Sequence, residues 1–484
     1  MKRGGDMKGP RFFERRTKIV CTIGPATCSA SAIEQLIEAG MNVARLNLSH
    51  GTYKEHARHI QTVRKLSRRL AIPVAILMDL PGSKYRTGKL KHGQARLKRG
   101  AEVTLTTRQT QGGEAVVPVN LPGFAQDIKV GDVVLLDDGA MQLKVLEAQG
   151  TEVRCKVIVG GMLLEGRALM VPGMRTSGDF ITDVLRECVL FAVRQQPDHL
   201  ALSFVNSSED VNCVKALLHE NGADIPIIAK IERGVAVRQF AGILASSEGI
   251  MVARGDLGLD IPLEKVPLVQ KEIIRKCNQA GKPVITATQM MESMVHAHRP
   301  TRAEVTDVAN AIFDGTDAMM LSAETAIGRY PVQAVKMMAR IAREAENRLP
   351  YEQMLSERGA WLEQKADALI SYSACHTAQS LGAAALVAFT QSGSTAGRVS
   401  KYRPRMPILA ITPDAVVAGR LMLRWGVYPF QIAKASSVDD LFTIAGRLCK
   451  ELGLAKPGDV IVITGGIPIG VAGSTNLLNV KTVE

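Results

Sequence analysis

Short apolar segments that end in polar residues alternate with amphipathic segments along most of the chain. The apolar segments are KIVCTIG (18–24), NVARLNLS (42–49), VAILMD (74–79), HLALSF (199–204), PIIAKIE (226–232), GIMVARGD (249–256), PVITATQ (283–289) and AMMLSAE (318–324). Runs of this length and composition predict buried strands. The segments between most of them, such as LEKVPLVQKEIIRKCNQAG, are typical of helices. Eight strand–helix units predict a (β/α)8 TIM barrel.

One interval, between the third and fourth predicted strands, is too long for a single helix. Residues 82–171 instead alternate strand and turn patterns, as in AEVTLTT, DVVLLDDG, MQLKVLEAQG and TEVRCKVIVGG. This pattern predicts an all-β domain inserted after the third barrel strand. Because such loops lie at the C-terminal face of a barrel, where active sites are found, we expect the insert to act as a lid.

The pattern changes again after about residue 350. A helical segment, ADALISYSACHTAQSLG, precedes ALVAFT (385–390), PILAIT (407–412), VYPFQI (427–432) and VIVITGG (460–466). These segments predict a second α/β domain with a largely parallel sheet. The predicted organisation is an N-terminal extension (1–16), a barrel (17–81 and 172–350), a lid domain (82–171) and a C-terminal domain (351–484).

The composition narrows the possible functions. The eight cysteines are scattered without a CxxC pair, which favours reduced thiols over a zinc site or a disulfide framework. The absence of an apolar run of about 20 residues, or of a signal peptide, predicts a cytoplasmic protein that binds no membrane. The net charge is +13, but dispersed basic residues and only 4 % aromatic residues argue against nucleic acid. The charge suits anionic small substrates, which it can steer.

Polar residues collect at the ends of the predicted barrel strands. Lys230 and Glu232 are two apart and therefore share a face, although these two alone are equally consistent with a buried ion pair. The other strand ends carry Arg45, Asn47 and Ser49; Asp79; Gly255 and Asp256; Thr286 and Thr288; and Ser322 and Glu324. We interpret them as one shared site at the C-terminal face.

The residue types suggest the chemistry of that site. Glu232 and Asp256 offer hard oxygen ligands. A site with a small number of protein ligands, completed by water and substrate oxygens, suits Mg²⁺. Arg45 offers a planar fork for phosphate, and Lys230 a cation where negative charge could develop.

Two hydroxyl residues complete the set. Thr288 and Ser322 can donate to a reacting carbon or relay a proton towards it. The chain shows no evident nucleophile, no P-loop GxxxxGK[ST] and no HRD or DFG motif of protein kinases. These features predict direct phosphoryl transfer by positioning and electrostatics.

Long motifs then resemble one family. MNVARLNLSHG, PIIAKIER, GIMVARGDLGLDIPLEKVPLVQK, PVITATQMMESM, RPTRAEVTDVANAIFDGTDAMMLSAETAIGRYP and FTQSGSTA together resemble the pyruvate kinases, in order and over nearly the whole chain. The resemblance implies a barrel, a β lid and a C-terminal α/β domain. It implies the last step of glycolysis, in which phosphoenolpyruvate and ADP give pyruvate and ATP. It also implies a homotetramer activated by a phosphorylated effector, either a sugar phosphate or a nucleotide.

The resemblance also implies roles for individual residues. Lys230 would stabilise the transferring phosphoryl group and the enolate, and Thr288 and Ser322 are candidates for protonating the enolate. Phosphoenolpyruvate would contact Arg45, Lys230, Gly255, Asp256 and Thr288. Mg²⁺ (or Mn²⁺) would bind Glu232 and Asp256. The potassium shell would be Asn47, Ser49, Asp79 and the Leu80 carbonyl, and the nucleotide side Asn47, His50, Arg86 and Arg167.

The effector phosphate is assigned to TQSGSTA, which follows a predicted strand and precedes a predicted helix. Its candidate ligands are Thr390, Ser392, Gly393, Ser394 and Thr395. Hydroxyls and amides at a helix N-terminus can hold a phosphate, and only the resemblance favours that role over an ordinary capped helix start.

The chain departs from the family pattern near the lid. In DLPGSKYR (79–86) the family usually has Lys or Gln in place of Pro81 and Pro in place of Ser83, which predicts a hinge that closes differently. At the lid exit the family has a lysine that contacts nucleotide phosphate, and in this chain the only basic residue near that position is Arg167. The usual LPxLTEKD is replaced by TSGDFITDV. We therefore expect altered nucleotide contacts on the lid side.

Lys84 occupies a position that is commonly Glu in family members that need potassium and Lys in those that do not. A tethered ammonium can supply the charge of a weakly held ion, which predicts that potassium is dispensable. The alternative is a solvent-facing lysine at the start of the lid.

Two other functions compete with this interpretation. A different Mg²⁺-dependent barrel enzyme acting on phosphoenolpyruvate or a 2-oxo acid, such as an aldolase-like lyase, would need no lid for ADP. A non-catalytic phosphosugar sensor would use only the C-terminal domain. The intact set Lys230, Glu232 and Asp256 argues against the sensor.

Overall fold

The computed structural model describes residues 13–82, 84–120, 123–174, 178–469 and 473–484. Most of the N-terminal extension lies outside the described residues, and so does Ser83, which the sequence singles out at the hinge of the lid. Among the residues described, no helix is both long enough and apolar enough to cross a bilayer.

The first described part of the chain alternates strands and helices. It contains β1 (Lys18–Thr22), α1 (Ala30–Ala39), β2 (Val43–Asn47), α2 (Tyr53–Leu70) and β3 (Ala75–Leu80). A capping box of Thr52 and Glu55 begins α2, because each side chain accepts a hydrogen bond from the other's backbone amide. Local sequence therefore determines where this helix begins.

The lid follows β3. It contains β4 (Tyr85–Arg86), β5 (Gln94–Leu97), β6 (Glu102–Thr106), β7 (Val116–Pro118), α3 (Phe124–Asp127), β8 (Val133–Leu136), β9 (Met141–Gln149), β10 (Glu152–Val159), β11 (Gly161–Leu164) and β12 (Ala168–Met170). One sheet has the order β4-β12-β8-β9-β10-β6-β7, and β5 pairs with β11. The predicted strands correspond to β6, β8, β9 and β10.

The predicted all-β insert is confirmed. The four-residue helix α3 and the shorter strands were not predicted, because two to four residues are too few to show the alternation on which the strand assignment rests. The insert has its own apolar core, with Phe124 and Leu143 fully buried.

The chain then completes the barrel. The elements are α4 (Asp183–Gln195), β13 (His199–Leu202), α5 (Ser208–Glu220), β14 (Ile227–Ile231), α6 (Gly234–Arg238), α7 (Phe240–Ser246), β15 (Gly249–Ala253), α8 (Arg254–Asp260), α9 (Val266–Ala280), β16 (Val284–Ala287), α10 (Arg302–Phe313), β17 (Ala318–Leu321), α11 (Ala323–Ala326) and α12 (Pro331–Asn347). Helix α9 ends at Gly281, whose φ of 66° is left-handed, as the sequence predicts for a glycine stop.

In the described part of the chain, eight parallel strands close a barrel in the order β1-β2-β3-β13-β14-β15-β16-β17. The predicted (β/α)8 barrel is confirmed. Alternate residues of each strand form two apolar layers, an inner one that includes Val20, Leu77 and Ile228 and an outer one beneath the helices. Lys230 is two residues after Ile228 and therefore shares its inward face.

The barrel strands are shorter than predicted. Gly255 and Asp256 lie in the first turn of α8, and Glu324 lies in α11, although the sequence placed all three at strand ends. Ser322 is the residue that precedes α11. The amides of these residues form contacts within the loops instead of continuing the ladder, as Gly255 does with Thr288 Oγ1 and Ser322 with Glu324 Oε2.

The C-terminal part forms a second α/β unit. It contains α13 (Tyr351–Gly359), α14 (Ala366–Ser380), β18 (Ala385–Phe389), α15 (Ser394–Lys401), β19 (Ile408–Thr412), α16 (Ala415–Leu421), β20 (Val427–Gln431), α17 (Val438–Glu451), β21 (Val460–Gly465) and β22 (Leu477–Thr482). The sheet order is β20-β19-β18-β21-β22, and β22 is antiparallel to β21. The largely parallel sheet is confirmed. The edge strand β22 was missed because its side chains are mostly half-exposed.

This unit packs against the N-terminal end of the barrel. Met422 and Leu423, which follow α16, are fully buried among the inward-facing barrel residues. Arg403 forms a buried ion pair with Asp317 at 2.9 Å. Lys18 Nζ donates to the Val427 carbonyl at 2.6 Å. The floor of the barrel is therefore built partly from the C-terminal unit.

Candidate active site

A buried cation lies between two carboxylates at the C-terminal face of the barrel. Lys230 on β14 places its Nζ 3.2 Å from Asp79 Oδ1 and 3.1 Å from Glu232 Oε1. The same ammonium donates to Ser203 Oγ at 2.8 Å. All of these residues are buried. The prediction that Lys230 and Glu232 share a face is thereby confirmed.

Asp79 connects this group to a second cation. Its other oxygen, Oδ2, accepts from Arg45 Nε at 2.8 Å, and Arg45 Nη1 donates to Thr22 Oγ1 at 2.9 Å. The side chains therefore alternate in charge as Arg45, Asp79, Lys230 and Glu232. Nε and Nη1 of the Arg45 guanidinium donate to Asp79 and Thr22, and these two contacts determine the orientation of the group.

The neighbouring opposite charges in this row of side chains stabilise the ionised forms of Asp79 and Lys230. Burial alone raises the pKa of Asp79, but Lys230 and Arg45 outweigh burial and hold that pKa below its ordinary value. Burial alone lowers the pKa of Lys230, and the fields of Asp79 and Glu232 outweigh it, so that pKa lies above its ordinary value. Asp79 is therefore a carboxylate and Lys230 an ammonium at neutral pH.

Glu232 differs from Asp79. Burial raises its pKa despite Lys230, and the negative charge of Asp256 raises it further. Its Oε2 accepts from the Phe204 amide at 2.6 Å. Asp256 in turn accepts from Lys84 Nζ at 2.5 Å. The two carboxylates predicted to bind Mg²⁺ are thus close enough to repel each other, and each has a cation beside it.

These carboxylates fit a divalent ion by donor chemistry. They are hard oxygen donors, they are only two in number, and a Mg²⁺ site takes its remaining ligands from water and substrate. Bringing a dication between Glu232 and Asp256 would also remove the repulsion that raises the pKa of Glu232.

Thr288 and Gly255 are joined directly. The Gly255 amide donates to Thr288 Oγ1 at 2.8 Å, and Thr288 Oγ1 donates to the Ala287 carbonyl at 2.6 Å. Thr288 has φ of 66° and Gln289 has φ of 53°. Left-handed backbone is costly for a β-branched residue, so the local contacts must hold it there.

Ser322 lies between β17 and α11. Its amide donates to Glu324 Oε2 at 2.7 Å, while its Oγ is buried and has no hydrogen-bond partner among the described residues. Glu324 also accepts from the Met291 amide at 3.0 Å, and burial raises the pKa of this carboxyl group. The Ser322 hydroxyl is therefore held in place with its hydrogen-bonding capacity unused.

The predicted nucleotide residues lie at the lid and at the end of β2. Arg86 Nη1 donates to the Gly166 carbonyl at 3.0 Å, and Arg167 Nε lies 3.4 Å from Asp137 Oδ1. Arg86 and Arg167 line one groove together with Lys84. His50 is exposed at the start of the loop that leads to α2.

Two of the predicted potassium residues, Asp79 and Leu80, are linked to Lys230, directly and through Ser203. Asn47 Oδ1 accepts from the Ser49 amide at 3.2 Å, and the Leu80 carbonyl accepts from Ser203 Oγ at 2.8 Å. Asp79 belongs to the buried ion pairs. The Lys84 ammonium, expected to serve this shell, forms its ion pair with Asp256 instead.

The predicted effector loop has the expected position between β18 and α15. Gly393, with φ of 86°, precedes α15, and its amide donates to Thr390 Oγ1 at 2.9 Å. Ser392 Oγ donates to Ser394 Oγ at 3.2 Å, and Thr395 Oγ1 lies 2.9 Å from Thr475 Oγ1. A small cavity beside the loop is lined by, among others, Thr390, Ser394, Thr395, Lys434 and Ser474.

Ser203 was not among the residues predicted from the sequence. Its hydroxyl contacts Lys230, Leu80 and, at 3.3 Å, Asp79, so it touches most of the buried cluster. It directly follows β13, and the same rule of a polar residue at a strand end would have found it. Thr22, which ends β1 and contacts Arg45, was also not predicted, although the same rule would have found it.

The fold and this cluster define a barrel enzyme with an inserted lid, equipped to bind a phosphorylated anion. Two family models match the chain, that of the pyruvate kinase barrel domain over residues 14–335 and that of the pyruvate kinase alpha/beta domain over residues 368–481. The chain belongs to the pyruvate kinase family, whose members are phosphotransferases that convert phosphoenolpyruvate and ADP to pyruvate and ATP.

Individual relatives agree with this family. A pyruvate kinase of Geobacillus stearothermophilus is 46% identical over 475 residues, which are 98% of this chain and 81% of the relative. One of Staphylococcus aureus (strain USA300) is 45% identical over 471 residues, 97% of this chain and 80% of the relative. A solved pyruvate kinase from Cryptosporidium parvum superposes with a TM-score of 0.93 at 35% identity, covering 100% of both chains. The family implies dependence on a divalent metal and on potassium.

Proposed function

We propose that the buried cluster around Lys230 is the site where the phosphoryl group passes from phosphoenolpyruvate to ADP. The observation that supports this most is an ammonium held at 3.1 and 3.2 Å from two buried carboxylates at the C-terminal face of the barrel. Only a cation stabilised in this way stays charged in a buried site, where it can offset negative charge that develops during a reaction.

The proposed reaction has two parts. The bond between phosphorus and the enol oxygen of phosphoenolpyruvate breaks, and a terminal oxygen of ADP forms the new bond to phosphorus. The resulting enolate then takes a proton at its terminal carbon to give pyruvate. Arg45 would bind the phosphoryl group, and Lys230 would stabilise charge on both the phosphoryl group and the enolate oxygen.

Glu232 and Asp256 would hold Mg²⁺, with Mn²⁺ as a substitute. The ion would supply positive charge to the phosphoryl oxygens of bound substrate. Asp256 already accepts a cationic partner in the form of Lys84, which supports its role as a ligand. The Gly255 amide and Thr288 would position phosphoenolpyruvate. Thr288 and Ser322 remain candidates for the proton path, and the unpartnered hydroxyl of Ser322 favours its inclusion.

The nucleotide would lie on the lid side, near Asn47, His50, Arg86 and Arg167. We propose that Arg86 and Arg167 bind its phosphates, because their guanidinium groups line the groove at the lid exit.

We propose that potassium is dispensable because Lys84 brings a tethered charge to the substrate side of the site. Its ion pair with Asp256 supports a place inside the site rather than in solvent. Activity in buffer free of sodium and potassium, with a bulky organic cation for ionic strength, should stay within about a few-fold of that with potassium. Lys84→Glu should create potassium dependence. Loss of most wild-type activity without potassium would contradict this and restore the shell at Asn47, Ser49, Asp79 and Leu80.

The remaining parts of the proposal concern the binding of an effector, the oligomeric state and the cellular compartment. A phosphorylated effector would bind the amides and hydroxyls of Thr390–Thr395 at the N-terminus of α15, with Lys434 nearby. We further propose a homotetramer in the cytoplasm.

One experiment tests the proposed reaction. ATP formation should be measured from phosphoenolpyruvate and ADP, with and without Mg²⁺, and then with a panel of sugar phosphates and nucleotides. We expect ATP formation that needs the divalent ion. Consumption of phosphoenolpyruvate without ATP would instead favour a barrel lyase.

A further inference from the structure

An arginine beside the site holds the strained turn that carries Thr288. Arg254, the first residue of α8, donates through Nη2 to the Thr288 carbonyl at 2.8 Å and to the Gln289 carbonyl at 3.2 Å. Its Nε also lies 3.3 Å from the Thr288 carbonyl. The guanidinium therefore binds the backbone of both left-handed residues at once.

The opposite edge of the guanidinium is fixed by a carboxylate. Arg254 Nη1 donates to Asp307 Oδ1 at 2.8 Å and to Oδ2 at 2.7 Å. The arginine side chain is only 12% exposed, against 36% for the aspartate. Because a guanidinium is planar and rigid, fixing Nη1 on α10 also fixes where Nη2 can bind carbonyls.

Two neighbouring residues of α8 donate hydrogen bonds to Thr288. The Arg254 side chain binds the Thr288 carbonyl, and the next amide, that of Gly255, donates to Thr288 Oγ1. A threonine at φ of 66° is unfavourable in isolation, and so is a glutamine at 53°. Without Arg254, both residues would relax towards negative φ, and the Thr288 hydroxyl would move away from the Gly255 amide.

We propose that Arg254 and Asp307 are positioning residues for the reaction, acting through Thr288. Together we call them the Arg254 anchor. They keep the turn of Thr288 and Gln289 left-handed, so that the Thr288 hydroxyl stays beside Gly255 and Asp256. This inference rests on the role proposed above for Thr288.

The first test is Arg254→Met, which keeps the length of the side chain and removes the hydrogen bonds. We expect kcat to fall about 10- to 100-fold, since a small displacement of a positioning group can have that effect. Arg343→Met is the matched control, because it removes a surface arginine whose partner, Glu14, lies at 2.8 Å. The control should retain wild-type kcat. A kcat for Arg254→Met within about twofold of wild type would overturn the proposal.

The second test separates positioning from a general structural role. Gln289→Gly removes the steric cost at one of the two left-handed positions. It should leave wild-type kcat nearly unchanged and should raise the kcat of Arg254→Met by about threefold or more. A structural contribution unrelated to the turn would not be restored by glycine at this place. Equal kcat for Arg254→Met with and without Gln289→Gly would contradict the mechanism.

A double-mutant cycle with Thr288→Ala distinguishes this inference from the proposed function. If Arg254 acts through Thr288, adding Arg254→Met to Thr288→Ala should lower kcat much less than it does in wild type. If the effects of the two substitutions on kcat were fully additive, the proposed role of the Arg254 anchor would be wrong. Wild-type activity of Thr288→Ala would instead remove the role proposed for Thr288. If Arg254→Met does not fold, Asp307→Asn replaces it in the cycle, with a smaller fall in kcat expected and additivity again the contrary result.

Discussion

Lys230→Met isolates the electrostatic contribution of the buried ammonium. The side chain keeps nearly the same length, so the main change is the loss of one positive charge between Asp79 and Glu232. At separations of 3.2 and 3.1 Å, each ion pair is worth about 5 kcal/mol at an effective dielectric near 20. Burial of the three charges offsets most of this energy in the folded protein.

Two consequences follow for the variant. Asp79 and Glu232 lose their shared cation, so the free energy of unfolding should fall by about 3–5 kcal/mol, less if either carboxylate takes up a proton. Turnover should fall by about 10²–10³ or more, because Lys230 acts mainly where charge develops in the transition state. The affinity for phosphoenolpyruvate should be largely retained, since Arg45 still offers its guanidinium.

The assay is a titration of phosphoenolpyruvate binding by calorimetry together with steady-state ATP formation. Lys282→Met is a matched control, because this lysine donates to the carbonyls of Leu244, Ala245 and Ser247 at 2.6, 3.0 and 2.6 Å and lies away from the site. It should lower the unfolding midpoint and spare kcat. If Lys230→Met lowers turnover less than about tenfold, the assigned role of Lys230 is wrong.

Further predictions concern the C-terminal unit and its contact with the barrel. Replacing Ser392 and Ser394 together by Ala should abolish activation by any effector and spare basal activity, because the loop loses two hydroxyl ligands. Gly419→Ala should lower the free energy of unfolding by about 1–3 kcal/mol, because an added Cβ would lie 1.8 Å from Asp198 Oδ1. Lys18 should make stability fall with decreasing pH: burial lowers its pKa from 10.5 to about 7, so between these values only the unfolded chain binds the proton.

Each of these predictions has a control. Unchanged activation of the double serine variant would rule out the effector loop. Gly242→Ala in α7 should not lower the free energy of unfolding, because its Cβ would meet Ser208 only at 3.5 Å, an ordinary contact, and alanine favours a helix over glycine. For Lys18, urea midpoints of wild type and Lys18→Met should be compared at pH 9.5 and pH 7. The wild type should lose up to about 1.4 kcal/mol per pH unit relative to the variant, and parallel midpoints would contradict the buried, neutral lysine.

Local patterns were enough to predict the fold and to group the residues of the candidate site. Short apolar runs identified the barrel strands, because both faces of such a strand are buried, one inside the barrel and one beneath the helices. The stop of α9 at Gly281 followed from the backbone freedom of glycine, and the start of α15 followed from the Ser and Thr residues before it. The polar ends of the strands converge for a topological reason, since parallel strands in one barrel all end at the same face.

The tertiary structure alone decided which groups become partners. Nothing near Lys84 in the sequence points to Asp256, and nothing near Arg254 points to Asp307 or to the carbonyl of Thr288. These contacts join residues that are far apart in the chain, and their energies depend on burial and distance, which composition does not encode. The left-handed backbone of Thr288 is the clearest case. Intrinsic preference opposes it for threonine, while Arg254 and Gly255 of α8 donate hydrogen bonds to Thr288 and Arg254 is itself paired with Asp307 of α10.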